Sequence, residues 1–302
     1  MRRQLYVGIV AGAIGLVVIG IAVIGMQQGW FGSRTNRLFV RAQHAKQEGH
    51  LPEAQKNLEE LIATYPSSPW MDDALLMLGE VYEGQQQWPE ARAMYQKLIE
   101  QLPNSPLIPN AQHQLGLVNV ALLFSPTLTD LDEQYEVKPG DSLGKIATMH
   151  STTIELLKKA NNLKSEVIRP QQKLKVPRGK FSIVVDKSQN ELLLTEDNHF
   201  VKNYIVATGK DNSTPVGTFK ITTKLPNPVW YTQGAVVPAD SPENILGTRW
   251  MGLDKKGYGI HGSVDPKALG KQVTAGCVRM ANQDVEELYG IVPVGTDVTI
   301  VD

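Results

Sequence analysis

Cysteine is nearly absent from this sequence, because Cys277 is the single one among 302 residues. One thiol cannot form an intramolecular disulfide, and it excludes a metal site built from several cysteines. Net charge is nearly absent too, since 30 basic residues almost balance 31 acidic ones. No electrostatic field therefore indicates a nucleic acid or an acidic polymer as partner.

Five of the six histidines lack the sequence spacing that is typical of metal ligands. They are scattered along the chain at His44, His50, His113, His150 and His199. Protein metal sites use ligands at characteristic short spacings or in clusters. We therefore predict neither a metal site nor a cofactor.

Charged residues are absent from residues 5–26, where Leu, Val, Ile, Ala, Gly and Met dominate. A run of this length crosses the core of a bilayer as a helix. It ends in Gly25-Met26-Gln27-Gln28 rather than at a cleavage site of small residues, which favours an uncleaved signal anchor. A buried core helix, the alternative, would need a polar stripe. Basic residues stand on both sides of the run, so charge alone leaves its orientation open.

An internal repeat covers residues 36–124. Leu51-Pro52-Glu53-Ala54 recurs as Trp88-Pro89-Glu90-Ala91, and Pro66-Ser67-Ser68-Pro69 recurs as Pro103-Asn104-Ser105-Pro106. Both recurrences are offset by 37 positions, from 51 to 88 and from 66 to 103. A period of this kind predicts stacked helical hairpins.

The middle copy of the repeat resembles a tetratricopeptide repeat. The matching residues, in order and spacing, are Leu78, Gly79, Tyr82, Ala91, Tyr95 and Pro103. The resemblance implies two full α-helical copies and a partial third. Such a domain offers a concave surface to a protein partner, or it serves as a spacer that holds the next domains off the membrane. The sequence favours neither role.

A compact βααβ pattern follows an acidic linker. Tyr135-Glu136-Val137-Lys138-Pro139-Gly140-Asp141-Ser142-Leu143 predicts a strand, a turn and a helix start, with Asp141 and Ser142 as candidate caps. A second helix at residues 153–160 and a strand at residues 172–177 complete the pattern.

This pattern is similar to a LysM module over residues 135–178. The LysM family binds glycans that contain N-acetylglucosamine, such as peptidoglycan. Gly144 stands where a large aromatic is common, and Gln171 where a glycine is usual. We therefore expect the LysM fold with weak glycan binding.

The rest of the chain is rich in short β-type runs separated by polar turns. They lie at residues 181–185, 191–195, 204–208 and 218–223. A helix with Asn282 as candidate N-cap and Gly290 directly after its end interrupts them, before a last strand at residues 297–301. We predict a mainly-β domain over residues 180–302.

His261 and Cys277, sixteen positions apart, are the candidate catalytic residues. A cysteine attacks as its thiolate, so it requires an imidazole that takes the proton or a cation that lowers its pKa. Gly262 and Gly276 allow tight turns, and the N–H groups of Gly276 and Cys277 are candidates for an oxyanion hole. Composition alone would favour a buried structural cysteine and an ordinary histidine.

Together, His261-Gly262 and Thr274-Ala275-Gly276-Cys277-Val278-Arg279 resemble the signature of the L,D-transpeptidase catalytic family (YkuD-like). The similar segments before them are Gly209, Thr214-Pro215-Val216-Gly217-Thr218-Phe219, Asn227-Pro228-Val229-Trp230 and Asn244-Ile245-Leu246-Gly247-Thr248-Arg249. The resemblance covers residues 181–302.

The resemblance implies a role for each matching residue. Cys277 is the acyl-accepting nucleophile and His261 its general base, with a backbone carbonyl near Gly262 orienting the imidazole. Thr274 stands where the family has Ser or Thr. Arg279 either holds a substrate carboxylate or forms a structural salt bridge.

Four further side chains are candidates for a peptide-binding groove: Trp230, Tyr231, Asn244 and Tyr258. Aromatic and amide side chains suit an amphipathic stem peptide. Packing within the domain explains each of them equally well.

The reaction that the resemblance implies is acyl transfer on peptidoglycan. Cys277 attacks the peptide bond after the third residue of a stem tetrapeptide, expels the terminal D-alanine and holds the tripeptide as a thioester. An amine of a second stem or of a lipoprotein then resolves it, giving a cross-link or a tethered protein. With water as acceptor the protein is an L,D-carboxypeptidase or stem-peptide hydrolase. If the last domain is inert, it is a cell-wall-binding scaffold.

The prediction as a whole is a multidomain, single-pass protein of the cytoplasmic membrane. It comprises a transmembrane helix at residues 5–26, α-helical tetratricopeptide-like repeats, a small βααβ LysM module and a mainly-β L,D-transpeptidase catalytic domain. The substrate lies outside the membrane, so the catalytic part is expected to be extracytoplasmic.

Overall fold

A computed structural model describes residues 33–302, with the exception of Gln233 and Val264. The predicted transmembrane anchor at residues 5–26 lies outside the described residues. Among the helices that are described, none combines the length and the hydropathy needed to span a membrane. The chain divides into two compact units between Gln114 and Leu115.

The first unit is built from α-helices joined by short turns. It contains α1 (Arg34–Gln47), α2 (Leu51–Thr64), α3 (Met71–Gly84), α4 (Trp88–Gln101) and the start of α5 (Ile108–Leu123). α2 and α4 carry proline in their first turn, where the missing N–H costs no hydrogen bond. The recurring Pro52 and Pro89 thus start the second helix of each hairpin, and the predicted helical repeats are confirmed.

Gly79 allows α3 and α4 to approach closely. A Cβ atom at this position would overlap the ring of Tyr95. Tyr95 is fully buried, and its hydroxyl donates to the carboxylate of Glu83. Two signature residues of the repeat therefore form one packing contact across the hairpin.

The predicted βααβ module lies in the second unit. Its elements are β1 (Asp132–Glu136), α6 (Leu143–Met149), α7 (Ile154–Ala160) and β2 (Lys173–Pro177), and β1 and β2 pair antiparallel. Ser142 caps α6 by accepting a hydrogen bond of 3.2 Å from the N–H of Lys145. Asp141, the other candidate cap, accepts instead from the N–H of Lys138 at 2.8 Å. Asp141 therefore shapes the turn before the helix.

An eight-stranded sheet organises the rest of the described chain, in the order β13-β11-β10-β7-β14-β3-β4-β5. These strands are β3 (Phe181–Asp186), β4 (Glu191–Glu196), β5 (His199–Ile205), β7 (Gly217–Pro226), β10 (Arg249–Leu253), β11 (Gly259–His261), β13 (Val278–Arg279) and β14 (Asp297–Val301). The shorter pairs are β6 (Thr208–Gly209) with β12 (Gln272–Thr274), and β8 (Trp230–Thr232) with β9 (Ala235–Val237). This arrangement fits the predicted mainly-β domain.

The run predicted at residues 204–208 is not one strand. β5 ends at Ile205, and Ala207 then exchanges two hydrogen bonds of 2.8 Å with Arg279, one in each direction. The chain thus passes from β5 to β13, which are the first and last strands in the pairing order. Hydrophobic alternation does not reveal this break, because the pairing partner lies far away in sequence.

The helix α8 (Asn282–Ile291) packs its buried face on the sheet. Two expectations about its ends are wrong. Ala281 rather than Asn282 occupies the N-cap position, and Gly290 lies inside the last turn. A Cβ atom at Gly290 would lie 3.1 Å from the side-chain carboxylate of Glu155 on α7. The close approach of α7, not helix termination, explains this glycine.

The βααβ module packs against the sheet within the second unit. Leu156 of α7 is fully buried in the same hydrophobic cluster as the strands. The buried ammonium group of Lys175 on β2 donates to the carbonyl oxygen of Leu122, at the end of α5, at 2.8 Å. It also forms an ion pair of 3.3 Å with Asp132 of β1. The module therefore shares a hydrophobic core with the sheet and does not form a separate domain on a linker.

Candidate active site

Two short parallel strands carry or directly follow the predicted catalytic residues. β11 and β13 pair with Ile260 opposite Val278 and with His261 opposite Arg279. Ile260 and Val278 are buried in the core, so His261 and Arg279 face the other side of the sheet. Cys277 directly precedes β13, two residues before Arg279, and lies at the same edge.

The thiol of Cys277 lies beside the start of β11. Its sulfur is 3.7 Å from the carbonyl oxygen of Gly257. Burial raises the pKa of Cys277, while a backbone hydrogen bond from Gly259 and the charge of Arg279 partly oppose the rise. The resting group at neutral pH is therefore a thiol rather than a thiolate.

Thr274 holds the turn that presents Cys277. Its hydroxyl accepts from the N–H of Gly276 at 3.1 Å and donates to the carbonyl oxygen of Cys277 at 2.7 Å. Gly276 has a φ of +127°, and a Cβ atom there would lie 2.8 Å from the ring of Tyr258. Glycine is thus required by conformation and by space.

This turn corrects two expectations. The N–H of Gly276 already donates to Thr274, so it is not an open donor for an oxyanion hole. Thr274 is only 5% exposed, and its hydroxyl is used within the turn, so it supports the nucleophile rather than a substrate.

A backbone carbonyl orients the imidazole of His261, which is 2% exposed. Its Nδ1 lies 2.7 Å from the carbonyl oxygen of Gly262. A carbonyl oxygen only accepts hydrogen bonds, so neutral His261 carries its proton on Nδ1 and leaves Nε2 as an acceptor. The indole of Trp250 stacks against the imidazole, with ring centroids 5.9 Å apart. The hydrogen bond at Nδ1 and the stacking contact both hold the ring.

Burial lowers the pKa of His261 to about 4, while hydrogen bonds to the backbone of Gly262 and of Leu246 oppose this lowering. The charge of Arg279 adds to the lowering. The imidazole is therefore neutral at pH 7 and able to accept a proton. Since the pKa of Cys277 is raised, the resting pair is a thiol and a neutral imidazole rather than an ion pair.

The guanidinium of Arg279 has no ion-pair partner among the described residues. Its Nε is buried and lacks a hydrogen-bond partner within the described part of the chain. The side chain also forms no salt bridge with any carboxylate that the structure describes. The structural salt bridge considered for Arg279 is therefore not observed among the described residues, and Arg279 stands opposite His261 on the adjacent strand.

Two residues of the site were missed from sequence. Asn282, taken for a helix cap, accepts hydrogen bonds of 3.1 Å from the N–H groups of Thr248 and Ser263 through its Oδ1. Trp250 covers His261, and a Cβ atom at Gly259 would lie 2.7 Å from its indole. The available signal for Asn282 was its place three residues after Arg279 in the cysteine segment.

Asn244 does not face a substrate groove, which corrects the role predicted for it. It is 2% exposed, and its Nδ2 donates to the carbonyl oxygens of Pro228 and Pro238 at 2.8 and 3.0 Å. These two residues flank the β8–β9 hairpin. Its Oδ1 accepts from the N–H of Leu246 at 2.9 Å. Asn244 therefore holds the base of the hairpin.

The aromatic groove candidates occupy two places. Tyr258 is partly buried against the turn of Gly276. Trp230 and Tyr231 lie on β8 of the hairpin, and Tyr231 is 75% exposed. Of the three, Tyr258 is the one that contacts the turn of the nucleophile.

Metal ligands do not cluster in the part of the chain that the structure describes. There, no three or more His, Cys, Asp or Glu side chains are grouped so as to hold an ion. The chemistry available at the described site is that of the thiol, the imidazole, the guanidinium and backbone N–H groups.

Three family descriptions match this chain. Residues 180–300 match the L,D-transpeptidase catalytic domain (YkuD), and residues 135–177 match the LysM domain. Residues 33–151 match a family described as an outer membrane lipoprotein (YfiO), whose architecture is tetratricopeptide-like. The matches agree with the domain types that the sequence predicts.

Relatives that carry the L,D-transpeptidase name align over much of their own length. YqjB of Bacillus subtilis is 44% identical over 126 residues, which is 40% of this chain and 70% of YqjB. YkuD of Bacillus licheniformis is 37% identical over 174 residues, which is 55% of this chain and 97% of that protein. YkuD of Bacillus subtilis is 35% identical, with 55% and 97% covered. With this identity and this coverage, the chain belongs to the L,D-transpeptidase family of the YkuD type.

Proposed function

We propose that this protein is a peptidoglycan L,D-transpeptidase that carries its acyl group as a thioester on Cys277. The observation that supports the proposal is the parallel pairing of β11 with β13, in which His261 stands opposite Arg279, two residues after Cys277. His261 is neutral, and its Nδ1 lies 2.7 Å from the Gly262 carbonyl oxygen. This arrangement supplies a nucleophile and a general base without a third acidic residue.

Acylation begins with the thiol. Nε2 of His261 takes the proton of Cys277 as the sulfur attacks the carbonyl carbon after the third residue of a stem tetrapeptide. The N–H of Cys277 donates to the oxyanion that forms. Collapse of this intermediate breaks the peptide bond, and the imidazolium returns its proton to the leaving D-alanine nitrogen. The tripeptide stays on the sulfur as a thioester.

Proton transfer accompanies attack, because neither partner is charged in the resting site. The pKa of His261 is lowered to about 4 and that of Cys277 is raised, so a preformed ion pair is disfavoured. The imidazolium that forms in the transition state is stabilised by the Gly262 carbonyl at Nδ1.

Arg279 recognises a carboxylate of the donor peptide. Its guanidinium has no anionic partner among the described residues and lies one strand away from His261. The stem tetrapeptide ends in a free carboxylate at the D-alanine that is expelled. A guanidinium fits such a group through two parallel hydrogen bonds.

The acceptor is an amine of a second stem or of a lipoprotein, and hydrolysis by water is the alternative outcome. We assign the protein to the cell envelope outside the cytoplasm, anchored in the cytoplasmic membrane through residues 5–26. The LysM module at residues 135–178 would bring the catalytic domain at residues 180–302 to the glycan. The repeats at residues 36–124 would bind a protein partner or hold the next domains off the membrane.

The test is product analysis of the purified full chain with a disaccharide tetrapeptide. Expected are release of D-alanine and a Cys277 peptide heavier by the disaccharide-tripeptide acyl group, both absent from the Cys277→Ala variant. A cross-linked dimer in the products indicates transpeptidation, and a free tripeptide indicates hydrolysis. D-alanine release by Cys277→Ala would overturn the proposal.

A further inference from the structure

Asn282 connects two loops that converge on the general base. Its Oδ1 accepts two hydrogen bonds, each of 3.1 Å. One comes from the N–H of Thr248, directly before β10, and the other from the N–H of Ser263, shortly after β11. Asn282 is the first residue of α8, and Ala281 occupies the N-cap position. The side chain therefore does not cap its own helix but faces the loops.

One of these bonds reaches the imidazole through a single peptide unit. The N–H of Ser263 and the carbonyl of Gly262 belong to the same planar peptide. The N–H binds Asn282, and the carbonyl oxygen lies 2.7 Å from Nδ1 of His261. The side chain of Asn282 thus fixes the plane of the peptide that orients the catalytic ring.

Two glycines make room for this amide. A Cβ atom at Gly247 or at Gly262 would overlap the Oδ1 of Asn282. Gly247 also has a φ of +61°, a conformation that favours glycine. The amide oxygen therefore lies against the backbone at both glycines.

We propose that Asn282 is a positioning residue of the catalytic dyad. It keeps the Gly262 carbonyl on Nδ1 of His261, and so keeps Nε2 unprotonated and available to Cys277. This inference rests on the proposed function for its kinetic consequence, while its effect on the imidazole is independent of the substrate. Loss of the amide oxygen frees the Gly262–Ser263 peptide to rotate and the ring to change tautomer.

The chemistry of the side chain decides which variants keep the role. Asn282→Asp retains an oxygen that accepts both N–H groups, and its charge raises the pKa of His261. Asn282→Leu has a similar size but accepts neither. Asn119 on α5 is the matched control, because its Nδ2 also binds two backbone groups, the carbonyl oxygens of Phe200 and Val201 at 3.0 and 3.1 Å.

Kinetics separate positioning from folding. In the full chain acting on disaccharide tetrapeptide, Asn282→Leu should lower kcat about 100-fold with KM nearly unchanged, the order expected for a misplaced catalytic group. Asn282→Asp should recover most of the rate and move the acid limb of the pH profile to higher pH. Asn119→Leu should leave kcat unchanged, even if it lowers Tm.

A spectroscopic measurement keeps the test independent of turnover. The ¹⁵N shifts of the His261 ring, assigned by comparison with His261→Gln, should show a single Nδ1-protonated form in the wild type and in Asn282→Asp, and a mixture of tautomers in Asn282→Leu. A single unchanged tautomer in Asn282→Leu would overturn the inference, whether or not the substrate is turned over. Equal losses of kcat in Asn282→Leu and Asn282→Asp would overturn it as well. The proposed function fails separately, if the wild type with the expected tautomer leaves the tetrapeptide intact.

Discussion

Acidification should change the stability of the second unit through two buried groups that act in opposite directions. The first is His261, whose ordinary pKa of 6.5 is lowered to about 4 in the folded protein by burial. Between these values the unfolded chain binds a proton that the folded chain does not, so stability falls as the pH falls. One pKa unit corresponds to about 1.4 kcal/mol, so His261 costs about 3 kcal/mol once the pH has fallen to about 4.

The second group is Glu196 at the end of β4. Burial raises its pKa from 4.5 to about 7, and the charges of Asp132 and Asp197 add to the rise while Lys175 opposes it. Its Oε1 is buried without a hydrogen-bond partner among the described residues. Here the folded protein binds a proton that the unfolded chain does not, so stability rises as the pH falls from about 7 to 4.5. The gain is again about 3 kcal/mol.

Single variants should expose each contribution. Between about pH 6.5 and pH 4.5, the two groups nearly cancel in the wild type. Glu196→Gln removes the compensating gain, so its free energy of unfolding should fall with acidification by about 1.4 kcal/mol per pH unit relative to the wild type. His261→Gln removes the cost, so its free energy of unfolding should rise by the same slope. The other titrating groups are shared by all three proteins and drop out of the comparison.

The assay is urea unfolding at several pH values. Unfolding is monitored through hydrogen exchange of the amides in β3 and β14, which pair in the centre of the sheet. These amides report on the second unit alone. The slopes against pH matter, not the absolute stabilities, because each substitution has a constant cost of its own. If the free energy of unfolding has the same slope against pH in Glu196→Gln as in the wild type, the raised pKa of Glu196 is refuted. If the slope is the same in His261→Gln as in the wild type, the lowered pKa of His261 is refuted.

Three further predictions concern the site. Cys277→Ala and His261→Ala should each abolish transpeptidation, and the double variant should be little worse, since the two act as one unit; additive losses in a turnover assay would contradict this. Gly276→Ala should slow alkylation or acylation of Cys277 at least about 10-fold, measured by intact mass, because a Cβ atom would meet the ring of Tyr258 at 2.8 Å. Arg279→Gln should raise KM for the tetrapeptide about 10-fold. With a C-terminally amidated tetrapeptide, which lacks the carboxylate, the wild type and the variant should have nearly the same KM. An unchanged KM for the free-acid tetrapeptide would contradict a role of Arg279 in carboxylate recognition.

Much of this protein was predictable from sequence because the signals are local or periodic. The recurrence at 37 positions, from 51 to 88, indicated the helical hairpins, since each copy repeats the proline that starts a helix. The βααβ order followed from turn and cap residues such as Ser142. Cys277 and His261 were recognisable as candidates because the short segments around them, in their order, resemble the family signature.

The use of each hydrogen bond was not predictable, because its partner lies far away along the chain. Asn282 looks like a cap in sequence, yet its amide oxygen binds loops at Thr248 and Ser263. Asn244 looks like a groove residue, yet it holds the base of a hairpin. The N–H of Gly276 looks free, yet Thr274 accepts it. Each choice depends on the register of strands that only the folded chain brings together.

The protonation state of the dyad was likewise decided by the tertiary structure. Sequence alone determined that a histidine and a cysteine are present, and that glycines accompany both. Whether they rest as an ion pair or as neutral groups depends on how deeply His261 is buried and on the charge of Arg279 across the β11–β13 pair. Burial is the combined effect of many residues distant in sequence, and desolvation penalises whichever form carries the charge. The sequence therefore determined which groups are candidates for catalysis, and the packing around them determined that they rest as a thiol and a neutral imidazole.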